Sequence, residues 1–351
     1  MEQTFLNTNT IFLYIINFAA AYVISLILTP ILRYVAVKYN IYDRPITAVK
    51  THKISTPYLG GIAIWTGWCI SLIIIRLITN FPTGTLNNLR SVIAGSFLML
   101  ILGLYDDIKK DGLNFKLKFL IQIIAAIIVV IFFNIRIQFM ENYILSVLIS
   151  IFWIIGLSNA FNIIDIMDGL SGGVATIAAF FFLIIALPSE MIYVNFCSTA
   201  LMGGILGFLP YNLSKNKKIF MGDTGSLSIG FILATVAMGT SYTKINTAGI
   251  LAPLLILTIP IYETIFVSIM RILKKKNPFL GSKDHFPLRL EKMGYSRKQI
   301  LIFIYLLCFI FGIFAYISVT GSSLLSYINF LTVLIFLFLF SIKLAKADTD
   351  N

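Results

Sequence analysis

Charged residues are scarce in this chain. Only 12% of its 351 residues are Asp, Glu, Lys or Arg, whereas 58% are hydrophobic and the mean hydropathy is +0.93. A soluble globular domain has about 25% charged residues. The composition therefore excludes an ordinary soluble protein and indicates a polytopic membrane protein.

Cysteine and histidine are also rare. The three cysteines lie in apolar runs without a paired motif spacing, so they indicate neither a disulfide framework nor a metal site. The two histidines, His52 and His285, both lie in polar stretches. The net charge is +12, but the positions of the basic residues indicate membrane topology rather than nucleic-acid binding.

The long apolar runs predict an all-α fold with eleven transmembrane helices in a single membrane-embedded domain, 1–351. Lipid admits only helices or closed barrels as spanning structures, and these runs are too long for barrel strands. The predicted spans are 11–32, 59–79, 92–105, 118–135, 143–161, 170–187, 192–212, 225–242, 248–270, 299–318 and 323–342.

The basic residues predict the orientation. If eleven spans alternate, all of the 27 Lys and Arg fall on one side except Arg76, Arg90, Arg136 and Lys244. Basic loops stay in the cytoplasm, so we expect the N-terminus outside and the C-terminus inside. No Lys or Arg precedes the first run, which therefore lacks the start of a signal peptide and is predicted to be a retained helix.

The polar stretch 158–170 follows an apolar run and is the most informative part of the chain. Asn159, Asn162, Asp165 and Asp168 recur at three-residue spacing, which would place them on one face of a helix or of a tightened turn. Carboxylates at a membrane are expensive and mark functional sites. The alternative is a helix cap followed by a glycine turn, which requires one such residue rather than four.

Two further clusters contain acids and bases. Adjacent Asp106 and Asp107 end a helix ahead of Lys118; they suit a metal, a general base or both, and the alternative is an ordinary acidic helix end. Asp223 follows Lys217 and Lys218 at a predicted helix start, where backbone amides favour an anion and the carboxylate favours Mg²⁺. The alternative there is an N-cap.

Two loops supply cations. His52 lies in the turn 43–61, and His285 and Arg289 lie in the polar loop 281–290, where they form a predicted phosphate-facing patch. Taken alone, either loop is better explained as a solvated surface. All the clusters fall on the side of the membrane that holds most of the basic residues. Together they predict an anionic, metal-bound substrate such as a pyrophosphate with Mg²⁺.

These motifs, taken in order, resemble the polyprenyl-phosphate N-acetylhexosamine-1-phosphate transferase family. The similarity runs from about residue 43 to residue 299 and comprises the sequences STPYLGG, GLYDD, NAFNIIDIMDGLSGG, KIFMGDTGS and PFLGSKDHFPLRL. The bacterial undecaprenyl-phosphate N-acetylglucosamine-1-phosphate transferases are the most similar members, and the phospho-N-acetylmuramoyl-pentapeptide transferases are close relatives.

The resemblance implies a reaction and its partners. A UDP-N-acetylhexosamine, expected to be UDP-GlcNAc, would transfer its sugar 1-phosphate to undecaprenyl phosphate with Mg²⁺ (or Mn²⁺) as cofactor. The reaction would release UMP and start a cell-envelope polysaccharide. The enzyme would lie in the bacterial cytoplasmic membrane with its active site on the cytoplasmic face, and a homodimer is compatible with the family. No nucleic-acid partner is expected.

The resemblance also implies roles for individual residues. The implied catalytic residues are Asp106, Asp107 and His285. The implied metal ligands are Asp223 and Asn162. The substrate-binding residues, which combine this resemblance with the loop patches above, are Lys118, Asn162, Asp165, Asp168, Asn212, His52 and Arg289.

The chain departs from the family pattern in places. Pro287 and Leu288 stand where further histidines are usual, and Ile166 stands where Gly is common. These departures bear on the sugar more than on the reaction. The alternative within the family is the pentapeptide transferase, whose run of histidines is also absent from this chain. A cation-coupled transporter is the alternative outside it, but a transporter needs polar groups in mid-span, whereas these clusters lie at the ends of the predicted spans.

Overall fold

The structure is a computed structural model that describes residues 8–45, 54–81, 83–109, 112–189, 191–277 and 282–347. Almost all of the regular structure is helical, as predicted. The first helices are α1 (Thr8–Lys38), α2 (Gly60–Ile78), α3 (Thr83–Ile108), α4 (Phe115–Ile127, extended by a π turn Ile128–Phe132), α5 (Tyr143–Ile164) and α6 (Leu170–Ala186, extended by a 3₁₀ turn Leu187–Ser189). The remaining helices are α7 (Ile192–Asn212), α8 (Gly222–Gly239), α9 (Ala252–Ile256, preceded by a 3₁₀ turn Thr247–Leu251), α10 (Thr258–Leu273), α11 (Phe286–Lys292), α12 (Arg297–Thr320) and α13 (Ser323–Ala345).

The prediction of eleven spans is wrong. Among the described residues, eight helices are long and apolar enough to cross a membrane, or nine if the bent pair α9–α10 is one span. The α-helical part of α6 has 17 residues and is shorter than each of these eight helices. Helix α8 has 18 residues and begins with the polar sequence GDTGS. Since the predicted orientation depended on eleven alternating spans, it stays a prediction.

One predicted span is broken. Thr247–Ile256 and Thr258–Leu273 meet at an angle of 67°. Pro260 lies in the first turn of α10, where its missing N–H is tolerated, but it would remove a hydrogen bond from a continuous helix. The chain therefore starts a new helix, and α10 runs in a different direction toward the loop that contains His285.

Helix α8 lies at the centre of the core. Nearly all of its side chains are buried, and it packs against α2, α3 and α5. Glycine permits a close approach of α3: a Cβ at Gly103 would lie 2.4 Å from the carbonyl carbon of Asp223. The end of α3, with Asp106 and Asp107, therefore lies directly against the start of α8.

A short antiparallel pair links the polar loops. β1 (Tyr42–Asp43) pairs with β2 (Thr56–Pro57). Beyond β2, Phe220 donates its N–H to the carbonyl of Pro57 at 2.9 Å, and Gly60 donates to the carbonyl of Phe220 at 3.0 Å. These backbone bonds fix the turn that precedes α2 against the segment that precedes α8.

Candidate active site

The start of α8 is capped by a residue of another helix. The Asp107 carboxylate accepts hydrogen bonds from the backbone N–H groups of Asp223 (2.9 Å) and Thr224 (3.0 Å) and from the Thr224 hydroxyl (2.6 Å). The first N–H groups of a helix have no partner within the helix and form its positive end. Asp107 thus acts as a tertiary N-cap, and its oxygens are committed to α8.

Tyr58 supports this cap from the turn before α2. Its hydroxyl donates to the backbone carbonyl of Asp107. Burial first, and then the nearby carboxylates led by Asp107, raise the pKa of Tyr58 to about 12. The phenol therefore stays protonated as a donor. The sequence reasoning quoted the motif STPYLGG but did not select Tyr58, because its contact is made across 49 residues.

Asp106 faces a different partner. Lys118 Nζ lies 2.6 Å from Asp106 Oδ2 and 3.0 Å from Asp223 Oδ2, so one ammonium bridges two carboxylates on separate helices. The backbone N–H of Leu113 donates to Asp106 Oδ1 at 2.5 Å. Asp223 receives a further bond from Asn162, whose Nδ2 lies 2.8 Å from Asp223 Oδ1. We call Asp106, Lys118, Asn162 and Asp223 the Asp223 cluster.

The predicted stripe along 158–170 is divided, because α5 ends at Ile164. Of its four residues, Asn162 joins the Asp223 cluster, whereas Asn159 turns to Gln122 and donates to its Oε1 at 2.7 Å. The prediction of one continuous polar face is therefore wrong. A helical period alone does not reveal where the helix stops.

The two acids beyond the end of α5 differ in environment. Burial first, and then the carboxylates of Asp223 and Asp168, raise the pKa of Asp165 to about 8. Asp168 instead pairs with Lys218, whose Nζ lies 2.5 Å from its Oδ2. Lys218 also lies over the ring of Phe220, 5.1 Å from the centroid. A cation, an aromatic ring and an acid thus border the Asp223 cluster on this side.

Asn212 lies between two loops. Its Oδ1 accepts from the backbone N–H of Gly169 at 2.7 Å, and its Nδ2 donates to the carbonyl of Ile219 at 3.0 Å. Gly169 has φ +80°, which favours glycine. Asn212 therefore holds the glycine turn after Asp168 against the segment that leads to Asp223, and its predicted contact with substrate stays a prediction.

His285 contacts an acid that the sequence reasoning missed. Its Nδ1 lies 2.6 Å from Oε1 of Glu263 in α10, and the backbone N–H of Phe286 donates to Glu263 Oε2 at 3.2 Å. Glu263 is completely buried. The available signal was a single carboxylate inside the apolar run TIPIYETIFVS, where an ionisable residue is a functional hypothesis by default.

Arg289 is almost completely buried, and its guanidinium is occupied by the protein. Its Nη2 donates to Asp284 Oδ1 at 2.9 Å, and its Nη1 donates to the carbonyls of Leu344 (3.2 Å) and Ala347 (2.5 Å) at the end of α13. This geometry indicates that Arg289 anchors its loop to the end of α13. The predicted contact of Arg289 with substrate stays a prediction. His52 lies outside the described residues.

The Asp223 cluster has the donor set for a divalent cation. Two carboxylates and an amide converge there, and the Lys118 ammonium already bridges the two carboxylates. No group of three or more His, Cys, Asp or Glu side chains suited to a metal occurs among the residues that the structure describes. Mg²⁺ is commonly held by only one or two carboxylates together with substrate phosphates. The residues present therefore fit Mg²⁺ brought or completed by a phosphorylated substrate.

Comparison with known proteins supports a family. Residues 89–241 match the model of the family described as "Glycosyl transferase family 4". A Bacillus subtilis protein described as "Probable undecaprenyl-phosphate N-acetylglucosaminyl 1-phosphate transferase" is 32% identical over 334 residues, which cover 92% of this chain and 90% of that protein. The "Undecaprenyl-phosphate alpha-N-acetylglucosaminyl 1-phosphate transferase" of Thermotoga maritima is 27% identical over 317 residues, covering 84% of this chain and 94% of that protein.

A relative with another substrate in its name is also similar. The "Phospho-N-acetylmuramoyl-pentapeptide-transferase" of Listeria innocua is 32% identical over 260 residues, which cover 65% of this chain and 76% of that protein. The matched family segment contains Asp106, Asn162 and Asp223 but ends before His285. Taken with the extent and identity of the first match, these similarities show that the chain belongs to the family of membrane-embedded polyprenyl-phosphate N-acetylhexosamine-1-phosphate transferases.

Proposed function

We propose that this protein transfers N-acetylglucosamine 1-phosphate from UDP-GlcNAc to undecaprenyl phosphate at the cytoplasmic face of a bacterial membrane, and thereby starts a cell-envelope polysaccharide. The names of the Bacillus subtilis and Thermotoga maritima relatives support the sugar and the lipid. The observation that carries the proposal is the Lys118 ammonium between Asp106 and Asp223, where acids and a cation meet at adjacent helix ends.

The bond changes are a single phosphoryl exchange. An oxygen of the lipid phosphate forms a bond to the β-phosphorus of the UDP-sugar, and the bond from that phosphorus to the oxygen it shares with the α-phosphorus breaks. UMP leaves with that oxygen, and the sugar phosphate stays on the lipid as a diphosphate. Catalysis of such a step is mainly positioning and charge neutralisation.

The residues divide these tasks. Asp107 is bound to the start of α8, so Asp106 is the acid better placed to receive a proton from the lipid phosphate or to orient it. Lys118 would release one of its two carboxylate partners and bind the lipid phosphate instead, because an ammonium that pairs with two acids can form a similar pair with a third anion. Asp223 and Asn162 would hold Mg²⁺, with Mn²⁺ as a substitute; when bound, the ion neutralises diphosphate charge.

The nucleotide would lie beside Asp165, Asp168 and Lys218, next to the Asp223 cluster. Asp168 and Lys218 form an ion pair, so this region holds a negative and a positive side chain within hydrogen-bonding distance of each other. His285 would approach the diphosphate from the α10 side. The Listeria innocua relative favours a second candidate, a UDP-MurNAc-pentapeptide donor.

The test is release of UMP by the purified full-length protein. Undecaprenyl phosphate and Mg²⁺ are supplied with UDP-GlcNAc, UDP-GalNAc or UDP-MurNAc-pentapeptide, and each reaction is repeated without lipid and with a chelator. We expect lipid-dependent UMP from UDP-GlcNAc alone. UMP only from the pentapeptide donor would replace the proposed sugar with the second candidate. No UMP from any donor by the folded protein would refute the proposal.

A further inference from the structure

The buried acid Glu263 has no role in the function proposed above. It lies in the middle of α10, is completely buried, and both of its oxygens face the segment at the start of α11. A buried carboxylate costs several kcal/mol unless it is paired and hydrogen-bonded. Oε1 meets His285 Nδ1 at 2.6 Å and Oε2 accepts from the Phe286 N–H at 3.2 Å, so one side chain fixes both the ring and the backbone beside it.

Other contacts hold the path of the same loop without Glu263. Asp284 pairs with Arg289 Nη2 at 2.9 Å and with Lys274 Nζ at 2.7 Å. Arg289 also donates to the carbonyls of Leu344 and Ala347 at the end of α13, which ties the loop to the C-terminal helix. Because these bonds anchor the backbone on either side of His285, the specific effect of Glu263 falls on the orientation of the imidazole.

The pairing also decides which ring nitrogen is available. An ionised carboxylate accepts hydrogen bonds and cannot donate them, so pairing with the ionised form of Glu263 places the ring proton on Nδ1. Nε2 is then the nitrogen left to meet a ligand, and no partner for it occurs among the described residues. A buried carboxylate that fixes the tautomer and direction of a histidine is a recurrent device in enzymes.

We propose that Glu263 is a positioning residue for the transfer reaction: it holds His285 so that Nε2, rather than Nδ1, contacts the diphosphate of the UDP-sugar. This inference rests on the proposed function. Helix α10 makes it possible, since the 67° break before it directs Glu263 toward the loop. The ring contact between Tyr262 and Phe286, with centroids 5.5 Å apart, holds the same two segments together.

A double-mutant cycle tests the proposal. Glu263→Gln, His285→Ala and the double variant are compared with the wild type for kcat and KM of UMP release and for thermal unfolding. Glu291→Gln is the matched control, because Glu291 is a partly exposed acid on α11 that pairs with Arg297. We expect Glu263→Gln to lower kcat by about 10- to 100-fold, as loss of a partner that orients a ligand often does. The control should stay near wild type.

The cycle separates a positioning role from a structural one. If Glu263 acts through His285, adding Glu263→Gln to His285→Ala should lower kcat by less than about 2-fold further. An equal loss in both backgrounds, or an unchanged kcat for Glu263→Gln, would overturn the inference while wild-type turnover kept the proposed function intact. A folded but inactive wild type would instead overturn the proposed function itself. Glu263→Asp, which retains the carboxylate, should recover part of the rate and serves where Glu263→Gln does not fold.

Discussion

The Asp107 carboxylate and the Thr224 side chain hydrogen-bond across two helices, with 2.6 Å between Oδ2 and Oγ1. Two backbone N–H groups at the start of α8 complete the same cap. Of two adjacent acids, one therefore organises the site and the other faces Lys118. The two residues have the same side chain and adjacent positions, so their roles differ because each one meets a different helix end.

This division predicts different consequences for the two acids. Asp107→Asn should destabilise the protein by about 1–2 kcal/mol, because the amide replaces one acceptor oxygen with a donor that faces N–H groups. Asp106→Asn should leave thermal unfolding nearly unchanged and abolish UMP release. The measurement is a melting curve and a rate for each variant; equal melting temperatures with equal loss of activity would contradict the assignment.

Asp223 should be essential without being required for folding. Asp223→Asn retains the shape of the side chain and a bond to Asn162, but it removes the negative charge that would hold Mg²⁺. We expect turnover to fall at least about 1,000-fold with a cooperative melting transition preserved. Measurable activity with an unchanged dependence on Mg²⁺ concentration would remove Asp223 from the metal site.

Lys118 should act mainly on the lipid substrate. Lys118→Ala removes the ammonium between Asp106 and Asp223 and should raise the KM for undecaprenyl phosphate by about 10-fold or more, because a charge-assisted bond is lost. Lys116→Ala, an exposed lysine two residues earlier in α4, is the control. An effect confined to the KM for the UDP-sugar would place Lys118 at the other substrate.

Asp165 should make stability depend on pH. Its pKa in the folded protein is raised to about 8 from an ordinary value of 3.8, so the folded state binds a proton that the unfolded state has lost between those values. The contribution of Asp165 to the free energy of unfolding is greatest below about pH 4. It declines as pH rises toward 8, by at most about 1.4 kcal/mol per pH unit.

The matching measurement compares wild type with Asp165→Asn. Melting temperatures are recorded from pH 5 to pH 8 in the presence of a chelator, so that no bound cation changes the titration. The wild type should lose stability relative to the variant as pH rises. Parallel curves over this range would show that Asp165 is already ionised in the folded protein.

Sequence patterns identified the residues of the Asp223 cluster but not all of their partners. Acids and amides stand out in apolar sequence because burying them without a partner is costly, which is why Asp223 and Asn162 were selected. Periodicity could not show that α5 stops at Ile164 or that Asn159 pairs with Gln122 of α4, since both depend on tertiary packing. The same reason hid Tyr58.

The predicted number of spans is wrong because a long apolar segment does not always cross the membrane. Helix α6 is apolar but shorter than the eight candidate spans, and α8 begins with the polar sequence GDTGS. Hydropathy measures exclusion from water and does not distinguish a protein core from a bilayer. The sequence pattern did not reveal Glu263, because it is a single acid within the long apolar run that forms α10.

The contact of Gly103 with the backbone of Asp223 sets the gap between the two acids of the Asp223 cluster. Even a methyl group at position 103 would lie 2.4 Å from the main chain of α8 and would force α3 and α8 apart. This contact therefore limits how closely the backbones that carry Asp106 and Asp223 can approach each other. The two helices cannot approach more closely than this contact allows, so the proposed diphosphate and cation would have to fit a space whose lower limit is set by the backbone.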